Sequence, residues 1–403
     1  MTFCFYYPSK VLGGAELLFY RLAVELLTKK HKVLYIDYSD GYIKQLCVKE
    51  NKEIKFITIN QINLKQFSDI NLIGPLSLCK DIMNLKKENT NIKKIMLWSI
   101  HPHNYISNLS GYYFFKKVKI KYAKYLYKYL FYISYNKFKN NLSILRKNSM
   151  VYFMDNSNFS LNEVVFDLDI KEYEKFFLPI PININKSNFK TINDDNVINI
   201  AWIGRLSDDK IYSLVYILDK IIEYKLTNVK FTVIGQGSNK HKLNKYLSSK
   251  DIEITIEENI TNSFLDNYLL ENIDLVFAMG TSALESAKLG IPTILVDPFN
   301  KKVWFNYKFK WLHESKNYDL GSFITDNPNE NKMNVSDIIQ LISNKQGYKD
   351  VSYKSYEYTL KNHDMNKIIE NLIRLFDSIE NSPFIDCNNK IYNKFKYFIR
   401  KFK

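Results

Sequence analysis

The sequence predicts an α/β protein of two Rossmann-like domains facing each other across a cleft, and three stretches carry that expectation. Residues 2–7 read as a short aromatic strand that runs through a loop into Gly13-Gly14-Ala15-Glu16 and then a helix, which is how a doubly wound domain opens. After a polar run at 185–196 the same pattern restarts with a strand at 198–203. Residues 275–297 then give a buried strand, a turn at Gly280-Thr281-Ser282, a short helix and a second apolar strand.

In the first stretch Leu17, Leu18, Tyr20, Leu22, Ala23, Leu26 and Leu27 recur at helical spacing before the chain turns into a strand at 33–36. Ligands of such domains sit beyond the carboxyl ends of the strands, where Gly13 and Gly14 fall. Further strands are expected at 54–59, 70–73, 94–100 and 150–154. The strand 94–100 leads into His101-Pro102-His103, and a histidine at that edge can donate to a reacting or leaving oxygen. Pro179, Pro181 and the run 185–196 read as a linker. The expected boundaries are 1–183 for the first Rossmann-like domain and 184–364 for the second. A helix within 365–387 is expected to return to the first domain, ahead of a basic amphipathic tail at 388–403.

In the second domain the strand 198–203 enters the loop Gly204-Arg205-Leu206-Ser207-Asp208-Asp209-Lys210, followed by a helix at 213–224 and a strand at 231–234. A guanidinium and an ammonium just past a strand end can both reach a diphosphate and neutralise a leaving group, which singles out Arg205 and Lys210. The loop Gly235-Gln236-Gly237, a helix at 240–247, a strand at 252–256 and a helix at 260–271 lead to the central unit. There the turn at Gly280, Thr281 and Ser282 offers the free N–H groups of a helix start to an anion. Glu285, one turn further in, can accept hydrogen bonds from the vicinal hydroxyls of a ribose. The helix is expected to stop at Gly290, where φ > 0 costs nothing, and Pro292 prevents its continuation. Residues 304–311, a polar stretch and a helical pattern at 365–379 complete the domain reading.

At 403 residues and 46% hydrophobic content, the chain can bury two cores, which excludes disorder. The four cysteines are scattered without metal-ligand spacing, so neither a disulfide framework nor a zinc site is expected, and a reducing cytoplasm fits. Neither a signal peptide nor a spanning helix is expected.

The net charge of +15 is concentrated in two places. Residues 101–154 hold ten Lys and Arg and no acid, and residues 388–403 hold six and again no acid, so together they exceed the net charge of the whole chain. Within 112–136, Lys117, Lys121, Lys124 and Lys128 make one basic face of a helix, with Tyr122, Leu126, Tyr129, Leu130 and Ile133 on the others. The tail repeats this with Lys394 and Arg400 among Ile391, Phe395, Phe398 and Phe402. Both segments predict docking on an anionic membrane surface. Nucleic acid is not an expected partner, because no binding motif accompanies the basic residues.

Gly13-Gly14-Ala15-Glu16, a strand ending at His101, Gly204-Arg205-Leu206 with Lys210, Ile234-Gly235-Gln236-Gly237 and the glycine turn before Glu285 together resemble the retaining, nucleotide-sugar-dependent glycosyltransferases of family 4, which have the GT-B fold. The resemblance covers residues 2–379. It implies a nucleoside diphosphate sugar held mainly by the second domain, with Arg205 and Lys210 on the diphosphate and Glu285 on the ribose. Gly204 and Gly280 to Ser282 would lie near the donor, and Gly13-Gly14 would close over the phosphates. His101, or His103 in a shifted register, would bond near the transferred sugar. It also implies retention at the anomeric carbon, no cofactor and no metal. The acceptor would be a lipid-linked or membrane-anchored glycan, as in lipopolysaccharide or capsule assembly, met by an enzyme peripheral on the inner face of the cell membrane. One departure stands out: the family's E-x7-E pairs Glu285 with an earlier glutamate, and Phe277 occupies that place. The alternatives are a metal-dependent transferase using Asp167 and Asp169, a sugar-nucleotide epimerase on the same scaffold, and a non-catalytic membrane-docked subunit.

Overall fold

The structure is a computed structural model that describes residues 1–11, 13–112, 120–185, 189–190, 197–250, 252–258, 260, 262–322 and 332–388. The chain divides into two compact units, one of Met1–Pro181 with the chain from Asn366 onward, the other of Ile182–Met365.

The first unit is wound on a parallel six-stranded sheet in the order β3-β2-β1-β4-β5-β6, with β1 Thr2–Tyr6, β2 Lys32–Asp37, β3 Lys55–Thr58, β4 Ile70–Pro75, β5 Ile92–Ser99 and β6 Val151–Phe153. The central strands are apolar on both faces because helices cover both sides, and every residue of β4 is buried. Helix α1, Gly14–Thr28, lays Leu18, Phe19, Leu22, Ala23 and Leu26 on the sheet. Helices α2, Tyr42–Lys49, and α3, Cys79–Glu88, form two further connections.

The basic segment departs from the single helical stretch expected over 112–136. Helix α4 spans Ile120–Leu130 and α5 spans Tyr132–Lys147, and Phe131 between them has non-helical angles of −122° and 36°. The break opens a run of weak helix formers, Phe131-Tyr132-Ile133-Ser134-Tyr135, with neither glycine nor proline to mark it. Ile133 therefore belongs to the second helix. Helix α6, Asn156–Phe166, follows β6.

The second unit repeats the plan with β7 Ile198–Ile203, β8 Val229–Ile234, β9 Ile254–Glu257, β10 Leu275–Ala278, β11 Thr293–Leu295 and β12 Lys310–Trp311, in the order β12-β11-β10-β7-β8-β9. Only β12 is antiparallel, against β11. The helices are α7 Ile211–Glu223, α8 Lys240–Leu247, α9 Asn262–Asn272, α10 Thr281–Ala287, α11 Val335–Ser343 and α12 Lys345–Asn362. Trp202, Ile217, Phe231, Phe277, Phe309 and Trp311 lie in its core.

The run 185–196, expected as a linker, is partly built into this unit. Lys190 is buried, donates to the Leu270 carbonyl at 2.7 Å and lies 3.5 Å from the Asp274 carboxylate. The Phe189 ring occupies the space a Cβ on Gly290 would need, and Gly290 has φ of +72°. A buried ammonium is tolerated here because a carboxylate and a carbonyl both face it.

The chain enters and leaves this unit side by side, with Ile182 N donating to His363 O at 2.7 Å and Met365 N to Ile182 O at 3.0 Å. Helix α13, Met365–Ser378, then completes the first unit. Phe376 packs edge-on against Phe3 at 5.5 Å, and Ser382 is bonded on both sides of Lys94, accepting from Ile95 N and donating to Lys93 O.

Candidate active site

In each sheet the strand order reverses between the first and fourth strands, so the connections beyond that point lead to helices on opposite faces and open a crevice at the carboxyl ends. In the second unit these strands are β7 and β10, with Ile203 level with Ala278. The loop from Gly204 to Lys210 leaves the first of them, and Met279-Gly280 leaves the second.

The first loop is held by its neighbour. Gly204 N donates to Ile234 O at 3.1 Å and Leu206 N to Gln236 O at 3.0 Å, which carries the β7–β8 pairing past both strand ends. A Cβ on Gly235 would lie 2.1 Å from Gly204 O, and one on Gly237 would lie 2.4 Å from Leu206 O. Gly235-Gln236-Gly237 is therefore a backbone cradle for Gly204-Arg205-Leu206. Beyond it, Asp208 accepts from Asn239 and Lys242, at 3.0 and 2.8 Å, and Ser207 donates to Asp209.

Arg205 is exposed between these anchored residues, while Lys210 is partly buried at the start of α7. Desolvation pushes the Lys210 ammonium below its ordinary value; Asp209 opposes this and the Arg205 charge adds to it. Two cations thus share one loop, and an anion bound there relieves both the repulsion and the lost hydration.

Across the crevice Gly280 takes φ of +62° with open space around its missing Cβ, so backbone conformation rather than crowding selects glycine. Its N–H donates to Leu320 O at 2.7 Å, and Thr281 and Ser282 begin the seven-residue α10. Glu285 lies 2.7 Å from Lys288, which also pairs with Asp266 on α9 at 2.8 Å. Burial opposes the Lys288 charge, yet the two carboxylates outweigh it and raise its pKa. The expected ribose carboxylate is thus already engaged, a partner signalled by the E-x-x-K spacing but not anticipated. Phe277 lies inside β10, fully buried and edge-on to Phe309 at 5.4 Å. Counting eight residues back from Glu285 thus lands in the core, because the β10–α10 turn is only Met279-Gly280.

In the first unit, Gly13 precedes α1 in extended conformation, at φ −147°, with no side-chain cap. Glu16 in the first turn is buried and accepts from Ser9 Oγ at 2.9 Å. Burial and then the Glu16 charge push the Tyr7 phenol up to about 12, so it stays protonated. A carboxylate already sits at this helix start, which makes Gly13-Gly14 less favourable for a phosphate than a bare N-terminus.

His101 stands on the loop after β5, where desolvation lowers its pKa and keeps it neutral near pH 7. Its Nδ1 accepts from His103 N at 3.2 Å, which leaves the proton on Nε2 as a donor. Asn104 Oδ1 accepts from Ile100 N and His101 N, at 2.8 and 2.9 Å, and so fixes that turn.

The basic residues expected at a membrane surface separate. Lys117, Lys394 and Arg400 lie outside the described residues, as does the side chain of Lys121. Lys124 is ion-paired with Asp167, and Lys128 is exposed. Asp167 ends α6 at φ 53°, and Asp169 accepts from Lys171 N at 3.0 Å, so both aspartates are engaged in capping and pairing. Around Lys128 the side chains of Tyr122, Tyr125, Tyr129, Leu130, Tyr132 and Ile133 are all exposed.

No family model matches the chain. A poly(ribitol-phosphate) α-N-acetylglucosaminyltransferase of Staphylococcus aureus is 26% identical over 188 residues, which is 44% of this chain. The match spans only 35% of that relative's length. Among solved structures, TarM is similar with a TM-score of 0.57 at 12% identity, covering 94% of this chain and 99% of that one. A glycosyltransferase from Rickettsia africae gives 0.54 at 15% identity, with 94% and 98% covered. HepE of Anabaena in complex with UDP gives 0.53 at 14% identity, with 94% and 100% covered. The fold is the two-domain GT-B architecture.

Proposed function

We propose that this protein is a glycosyltransferase that moves a sugar from a nucleoside diphosphate sugar to a hydroxyl of a lipid-linked or membrane-anchored glycan during surface polysaccharide assembly. The observation that carries the reading is the cation pair Arg205 and Lys210, on the loop leaving β7 beside the Gly280 turn that leaves β10. In this reading the two cations bind the diphosphate and stabilise the charge that grows on it as the glycosidic bond breaks. Gly204, Gly280, Thr281 and Ser282 line the donor, and Glu285 meets the ribose from within its pair with Lys288. Gly13 and Gly14 approach the phosphates, and His101 donates through Nε2 to the substrate. Retention at the anomeric carbon and family 4 membership rest on the motif resemblance. Because side chains supply the positive charge, transfer is proposed to proceed without added metal, and a chelator should leave the rate unchanged.

A panel of nucleoside diphosphate sugars tests this. One donor is expected to raise the melting temperature by several degrees and to be consumed only when a glycan acceptor is present. Binding without turnover would favour the non-catalytic subunit, and release of epimerised donor would favour the epimerase.

Among the described residues no helix is long and apolar enough to cross a membrane. We propose instead that the exposed aromatic face of α4 and α5 rests on the inner leaflet, with Lys128 towards anionic headgroups and the tail at 388–403 assisting. Tyr129 and Ile133 are 73% and 71% exposed, so replacing both with serine should leave the fold intact. The double variant is expected to lose several-fold in partitioning to phosphatidylglycerol vesicles at low salt, and unchanged partitioning would remove the membrane contact.

A further inference from the structure

We propose that a second, separate site in the second unit binds uncharged sugar units of a glycan chain, with Trp304 as its stacking platform. The groove has a volume of about 530 Å³ and is lined by the carboxyl-terminal half of α7, the loop after β11 and Lys250. It is independent of the donor reading, since none of its residues belongs to the cation loop or the Gly280 turn.

Trp304 is 88% exposed, the highest exposure of any large apolar side chain among the described residues. The indole lines the groove beside polar side chains, so its open face and that wall form one candidate contact surface. The ring is nevertheless supported: Phe305 meets it edge-on at 5.4 Å, Phe305 packs on Phe299 at 6.2 Å, and Phe299 meets the buried Tyr307 at 5.1 Å. This aromatic ladder ties the platform to the core, so little ordering is required on binding.

The polar lining selects the ligand class. Asp219 and Glu223 face Lys220 and Lys250, so the charged lining is balanced. Lys220 pairs with Glu223 at 2.6 Å, and Asp219 accepts from Tyr246 at 2.8 Å with Lys250 at 3.9 Å. A balanced lining gives no net attraction to a phosphate or a polyanion, but it supplies the donors and acceptors that a ring of hydroxyls requires. The apolar C–H face of a pyranose fits flat on an indole, and its hydroxyl rim meets the mixed wall. Lys301 and Lys302 are exposed on the same loop but do not line the groove. Lys210 caps the start of α7 and the groove is lined from Tyr216 to Glu223, so it lies roughly 10–20 Å along the helix from the cation pair at ~1.5 Å per residue. That separation suits a distal segment of a polymer.

Tryptophan quenching reads the site directly, because Trp98, Trp202 and Trp311 are buried. Neutral oligosaccharides of glucose, galactose and N-acetylglucosamine units, at millimolar concentration, are expected to shield Trp304 from acrylamide and shift its emission to the blue. Trp304→Ala should abolish that response at unchanged melting temperature and unchanged donor-induced stabilisation. Asp219→Asn should weaken the response about ten-fold, the loss of one good polar contact. Lys210→Ala should keep the oligosaccharide response whatever its effect on transfer, which separates this site from the donor reading. Absence of shielding by every oligosaccharide would overturn the proposal, as would shielding by phosphatidylglycerol vesicles but not by sugars.

Discussion

Lys210→Ala is expected to lower the rate of sugar transfer by about two to three orders of magnitude while leaving the melting temperature unchanged or slightly raised. The direction of the stability effect follows from the site: desolvation and the neighbouring Arg205 both disfavour the Lys210 ammonium in the unliganded protein. Removing it removes that repulsion. The rate effect has the opposite sign because, in the proposed reaction, the same charge would face a diphosphate that becomes more negative as the bond breaks, and one such fixed group is worth about 3–4 kcal/mol. Arg205 is exposed and keeps more of its hydration, so Arg205→Ala should act more on donor KM than on kcat. Steady-state rates and melting curves on both variants decide the matter, and a wild-type rate for Lys210→Ala would remove the assignment.

The second large effect concerns Asp297, just past β11. It is buried, accepts from Tyr307 Oη at 2.9 Å and from Ser322 N at 2.8 Å, and neighbours Asp319, which pairs with Lys310. Burial, and then the Asp319 charge, raise its pKa from an ordinary 3.8 to about 6, against the lowering effects of Ser322, Lys310 and Tyr307. A carboxyl raised in the fold favours the protonated native state, so its contribution is complete below about pH 4 and is lost as pH rises through 6. The loss is on the order of 3 kcal/mol for a shift of this size. Asp297→Asn should flatten that part of the stability profile, read as the difference in urea unfolding between pH 4.5 and 7 for variant and wild type. An unchanged difference would show that the group does not titrate in this window. The same residue bears on the site: it holds Ser322, and Leu320 of that segment accepts from Gly280 N.

Much of the fold was legible because strands covered on both faces have to be continuous apolar runs between glycines and polar loops. Strands at 198–203 and 275–278 and the helix at 240–247 fall at the residues expected. The polar stretch after 311 hid two helices. In α12 the buried face includes Ser352, Ser355 and Thr359, and Ser352 donates to Gly290 O, so the face that packs carries hydroxyls in place of methyl groups. Hydrophobic periodicity is blind to such a surface. Arg205, Lys210 and Gly280 were readable as positions following strand ends. Lys288 and the Asp297–Tyr307 contact were not, since a countercharge or a buried phenol is recognised only when the packing that removes water is known. The glycines at 235 and 237 read as part of a loop, whereas their main requirement is room for the carbonyls of Gly204 and Leu206.

The paired crossing at Ile182 and His363–Met365 makes the second lobe a continuous insertion into the first. On the ribosome the inserted lobe can close as soon as its own last segment emerges. The amino-terminal sheet, though synthesised first, cannot cover Phe3 or satisfy Lys93 and Ile95 until Phe376 and Ser382 arrive. The first unit is therefore complete only after the whole of the second has been made, because its last contacts come from chain that follows the insertion.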